Sequence, residues 1–171
     1  MKIKILVFIL LMIMLFTSGC NKPKTETSIN PVDSQTVNTI SEFRTTYEHW
    51  TGLLSDIADS TSNAYDSWVA GQINKEEFVT KTRQNYEQMK QLKKQSDLKK
   101  EFILTENDKQ KVNYDAVLHA YNNAKKDLND FLYMVPQLQD EQIKTMYNNK
   151  IKENFNEDIS ELKKQLGLTT E

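Results

Sequence analysis

The sequence predicts an all-α fold, an antiparallel up-down bundle of four helices at about 34–70, 75–98, 105–135 and 137–166. Three observations carry that expectation. Apolar side chains recur at alternating spacings of three and four residues through most of the chain, which lays them along one face of a helix. Glycine and proline are scarce, 4 and 3 in 171 residues, and beyond residue 32 the only proline is Pro136. Little therefore interrupts helical backbone. No segment alternates apolar and polar side chains as a half-buried strand does.

The first helix begins near Ser34 and carries Ile40, Phe43, Tyr47, Trp50, Leu54, Ile57, Thr61, Ala64 and Trp68 on one seam. Rings this bulky suit the larger holes among several helices better than the narrow seam of a two-stranded coil. Ser60-Thr61-Ser62-Asn63 is a weak helix-forming run and a place for a bend, and Gly71 supplies a left-handed stop. Asn74 followed by Glu77 is a capping-box arrangement that starts the second helix. Phe78, Thr82, Tyr86, Met89 and Leu92 are its apolar face. The short link predicts antiparallel neighbours. Phe102-Ile103-Leu104 reads as a nonhelical plug or last turn.

Thr105 with Asp108 is a second, weaker cap signal. Tyr114, Val117, Tyr121, Ala124, Leu128, Phe131 and Val135 follow as the third apolar face. Pro136 ends that helix or occupies the first turn of the next. The fourth helix carries Ile143, Met146, Tyr147, Ile151, Phe155, Ile159, Leu162 and Leu166, with Gly167 as its terminator.

Ahead of these helices stands a different kind of segment. Lys2 and Lys4 precede the uncharged run Ile5–Phe16, and Thr17-Ser18-Gly19 then lead to Cys20, the only cysteine. A helix of this apolar length is about 18 Å long, short of the ~30 Å hydrocarbon core. A permanent transmembrane span is disfavoured, and the layout is that of a secretory signal peptide. Ser18-Gly19-Cys20 resembles the lipobox of bacterial lipoprotein precursors, a likeness confined to about the first 20 residues. The resemblance implies cleavage between Gly19 and Cys20, removal of residues 1–19, and diacylglyceryl attachment at the Cys20 thiol. Thr17 departs from that family's preference for leucine three places before the cysteine. Two acyl chains hold a protein stably on a bilayer where one does so only marginally, so the expected location is the extracytoplasmic face of the cell membrane. Residues 20–33, with Asn21–Asp33 polar and holding Pro23 and Pro31, read as a lipidated tether that can reach about 40 Å when fully stretched. Residues 34–171 read as one helical domain.

Removing residues 1–20 takes away two lysines and no acids, leaving 20 basic against 24 acidic side chains. That balance gives no reason to expect nucleic acid, whose binders show a basic patch or stripe. With Cys20 acylated, no thiol remains for a disulfide, metal or redox site. His49 and His119 lack further ligands at zinc spacing, although Asp115 lies one turn before His119. Acids such as Glu157, Asp158 and Glu161 read as solvated helix faces. No glycine-rich phosphate loop, paired-carboxylate cleft or di-iron signature is present. No catalytic residue, metal or cofactor is expected, and the chain reads as a non-enzymatic interaction module. Lys90, Lys93, Lys94, Lys99 and Lys100 could touch anionic lipid or wall polymer, but such runs are usually solvated. Trp50 and Trp68 are the candidate partner contacts if their rings are exposed. The expected partner is the membrane, through Cys20, together with an envelope protein or wall polymer. In architecture alone the body resembles small helical lipoproteins of low-GC Gram-positive bacteria, some carried by prophages, and certain phage examples block superinfection. A ligand-binding lipoprotein with a small cavity in the bundle is the competing expectation.

Overall fold

Helix α1 spans Ile40–Val69 and starts from a complete capping box at Thr39 and Glu42. The Glu42 amide donates to Thr39 Oγ1 at 3.1 Å, and the Thr39 amide donates to Glu42 Oε2 at 3.1 Å. Two of the orphan donors at the helix start are thereby satisfied. The structure, a computed structural model, describes residues 39–98 and 103–168. The capped start at Ile40 replaces the expected one near Ser34. Gly19, Cys20, the tether, Lys99, Lys100 and Phe102 lie outside the described residues.

The first seam is core almost throughout. Phe43, Tyr47, Trp50, Leu54, Ile57, Thr61 and Ala64 are buried, and the helix continues unbroken through Ser60–Asn63. Thr61 tolerates its position by donating its hydroxyl to the Ile57 carbonyl at 2.7 Å, a bond that spares a buried oxygen from going unpaired. Gly71 ends the helix at φ 69°. Its amide reaches Trp68 O and the Gln72 amide reaches Ser67 O, the paired bonds of a Schellman stop.

Helix α2 spans Lys75–Leu98, and Asn74 Oδ1 caps it by accepting from the Glu77 amide at 2.9 Å. Its buried positions are Phe78, Thr82, Asn85, Met89 and Leu92. Tyr86, expected on that face, is only half-buried, and polar Asn85 takes its place. Leu104 is buried while Ile103 is 62% exposed.

The expected third helix is two pieces. α3 covers Glu106–Lys111 from a Thr105 cap, and α4 covers Tyr114–Met134. Val112 explains the interruption. Five residues ahead of Val117, it would point about 140° away from the core seam in a continuous α-helix. Asn113 instead adopts a left-handed conformation at φ 48°, and Val112 turns inward to 3% exposure. The Asn113 amide nitrogen then donates to Gln165 Oε1 at 2.7 Å.

Pro136 lies within a short 3₁₀ turn, Val135–Gln137. The last helical rod therefore starts at Asp140, three residues later than expected, after a capping box made by Gln139 and Gln142. This rod is α5 (Asp140–Tyr147), a π-helical segment (Asn148–Phe155) and α6 (Asn156–Leu166). The π segment follows from side-chain spacing. Ile143, Tyr147, Ile151, Phe155 and Ile159 recur every fourth residue, and all are buried. In a pure α-helix each such step drifts about 40°, so four steps would swing the row by about 160°. The wider i→i+5 winding takes more residues per turn and keeps the row facing the core. Gly167 closes the rod at φ 73°.

The described residues are thus all-helical and pack around an aromatic-rich core. None of the described helices is long and apolar enough to cross a membrane.

Candidate functional site

The two tryptophans share a seam and meet different fates. Trp50 sits near mid-helix, 1% exposed. Tyr47 lies edge-on at 5.2 Å and Tyr121 of α4 at 5.5 Å. Phe43 extends the cluster to Tyr114 at 5.3 Å. A partner cannot reach the Trp50 ring in this packing, so its expected contact role gives way to a core role. Trp68 lies in the last turn of α1 and is only partly covered. It stacks on Phe78 at 5.0 Å with 10° between planes, while Tyr65 stacks on Tyr147 at 3.6 Å. Of the two candidates, Trp68 alone keeps a face toward solvent.

The aromatic core also sets the charge state of its phenols. Burial pushes Tyr47 well above the usual tyrosine range, with Tyr121 and Tyr114 adding to the shift. Burial does the same to Tyr121, with the nearby Asp97 carboxylate adding to the rise. Neither can ionise easily inside a medium that disfavours charge.

His49 and His119 are both exposed. His119 Nε2 lies 3.2 Å from Asn123 Nδ2, and Asp115 is exposed one turn away. Among the described residues, no group of three or more His, Cys, Asp or Glu is placed to hold a metal ion. Of the lysine run, Lys90 pairs with Glu87 at 2.8 Å and lies over the Tyr86 ring, while Lys93 and Lys94 are exposed.

Two polar grooves carry the chemistry that the apolar periodicity did not indicate. One, of about 470 Å³, lies where α4 meets the π segment and α6. Asp127, buried, accepts from Lys150 Nζ at 2.6 Å. Asp158 nearby is half-buried, not fully solvated, and its carboxyl is held above the usual range by burial, against an Asn123 hydrogen bond and with Asp127 and Glu157 adding to the rise. Sequence reasoning missed this pair because charged residues on a helix are solvated by default.

The other groove, of about 520 Å³, runs between α1 and α2. Its floor is Asn85, 4% exposed. Asn85 Nδ2 donates to Thr61 Oγ1 at 3.0 Å, and its Oδ1 accepts from Ser60 Oγ at 3.1 Å. The sequence did hold a signal here. Positions 78, 82, 85, 89 and 92 continue the three-four alternation, and a polar residue on such a face marks a built-in hydrogen bond.

The chain matches no protein-family model, and no curated protein or solved structure shows significant similarity to it.

Proposed function

We propose that this chain is a lipid-anchored extracytoplasmic lipoprotein whose helical domain acts as a non-enzymatic interaction module at the cell envelope. The observation that carries the reading is the leader. Twelve uncharged apolar residues, Ile5–Phe16, end at Ser18-Gly19-Cys20, too short to span a bilayer and followed by a lone thiol. Small residues at 18 and 19 admit a protease to the backbone, and the thiol supplies the nucleophile for thioether formation. The partner is an envelope protein or a wall polymer, met at the domain surface.

We also read the helices as an antiparallel up-down bundle of four rods, with α3 and α4 together as the third and α5–π–α6 as the fourth. Pairings between α1 and α2 support opposite directions: Trp68 with Phe78, then Thr61 with Asn85. Asp127 with Lys150 and Asn113 with Gln165 support the same for α4 and the last rod. Phe43 with Tyr114 and Tyr47 with Tyr121 support a shared direction for α1 and α4.

The test is metabolic labelling with a radiolabelled fatty acid in a bacterial host. The wild-type chain should take up label and lose its leader, and Cys20→Ala should do neither. Label on the Cys20→Ala chain, or an unmodified mature N-terminus by mass spectrometry, would overturn the assignment.

A further inference from the structure

Helices that pack closely normally seal the seam between them with apolar side chains, because that is where burial gains most. The groove between α1 and α2 departs from this. On the α1 side Ser60, Asn63 and Ala64 line the trough; Ser60 and Thr61 meet Asn85 by hydrogen bonds, while the Gln84 side chain stays exposed at the rim. The result is a trough with polar walls over a buried amide.

That floor retains unused capacity. A carboxamide offers two N–H donors and two acceptor lone pairs. Asn85 uses one donor on Thr61 and one lone pair on Ser60. Around it, the side chains of Asp56, Asp59, Asn63 and Gln84 make no hydrogen bond or ion pair among the described residues, and all four line the trough. Carboxylates accept only, and amides both donate and accept. A ligand matching this set must present many hydroxyl donors and some carbonyl or hydroxyl acceptors within a small span. With Asp56 and Asp59 against Lys81, the trough carries a formal charge of −1 from its lining, which disfavours anions. Its volume of about 520 Å³ falls within the range of roughly 300–1,000 Å³ typical of small-ligand sites.

We propose that this groove binds sugar units of a glycan bearing no net negative charge. The inference rests on the envelope-facing reading and names the wall-polymer class of partner within it. Asn85 holds the register of the sugar from below, and Asp59 and Asn63 accept from and donate to its hydroxyls at the rim.

The experiment is saturation-transfer NMR and calorimetric titration of the full chain in detergent micelles with chitotetraose, a neutral N-acetylated oligosaccharide. Saturable binding is expected, weakened at least tenfold by Asp59→Ala and by Asn63→Leu, the second filling the trough. Both positions are exposed and unpaired, so circular dichroism and the unfolding midpoint should stay at wild-type values. Glu157→Gln, in the other groove, should bind as wild type. An anionic hyaluronan tetrasaccharide should bind at least tenfold more weakly than chitotetraose. No saturable binding of chitotetraose, equal binding of the anionic sugar, or binding indifferent to Asp59→Ala and Asn63→Leu would each overturn the proposal. Fatty-acid labelling of the same preparation separates the two readings: labelled chain without sugar binding sinks the ligand and leaves the anchor.

Discussion

Gly52 and Gly71 make opposite predictions from the same substitution. Gly52 lies in the interior of α1 on its exposed side, and a methyl group added there meets nothing within 4 Å. Alanine at that position removes backbone freedom from the unfolded chain and adds no clash. Helix propensity favours alanine over glycine by about 0.8–1.0 kcal/mol in a helix interior. Gly71 also has open space around it, but its φ is 69°. There an L side chain crowds its own carbonyl and costs roughly 1–2 kcal/mol. Since neither site has a packing neighbour, the difference between the variants isolates backbone conformation. Urea unfolding followed at 222 nm should give Gly52→Ala about 0.8 kcal/mol more stability, and Gly71→Ala at least about 1 kcal/mol less. For a chain of this size each kcal/mol corresponds to about 2–4 °C in Tm. Two shifts of the same sign would refute the placement of Gly52 inside a helix or of Gly71 at a left-handed stop.

The tryptophans and the tyrosines supply two further tests. In Trp68→Phe the remaining Trp50 emission should be blue-shifted and resist acrylamide, whereas in Trp50→Phe the remaining Trp68 should be quenched readily. Trp50→Ala should cost about 3–5 kcal/mol through the cavity it leaves, and equal quenching of both rings would contradict their placement. In an alkaline absorbance titration at 295 nm, burial should keep Tyr47 and Tyr121 protonated well above the usual tyrosine range. Because the folded state holds these two protons more tightly than the unfolded state, their contribution to stability is intact below about pH 10 and is lost above it. Ionisation of all seven tyrosines in one step, with the far-ultraviolet spectrum unchanged, would show that the aromatic core is solvated.

By itself the sequence determined the helical class and most of the buried faces. The seam from Phe43 to Ala64, the cap at Thr105, and the stops at Gly71 and Gly167 are local matters of spacing, side-chain oxygen and φ, legible within a few residues. Tertiary structure decided what those local rules leave degenerate. Trp50 and Trp68 read alike on one seam, yet Tyr47 and, from α4, Tyr121 seal the first, while Phe78 of α2 stacks on the second and leaves it partly open. The break at Asn113 depends on a pocket for Val112 and on Gln165, 52 residues away. The π segment depends on a neighbouring surface that rewards a row with a four-residue repeat. Asn85 and Asp127 became interior groups because Thr61, Ser60 and Lys150 arrive from other helices to satisfy them. A periodic pattern tells which side of a helix leaves water, whereas the partner across the gap sets how deep each residue sits and whether a polar group can follow.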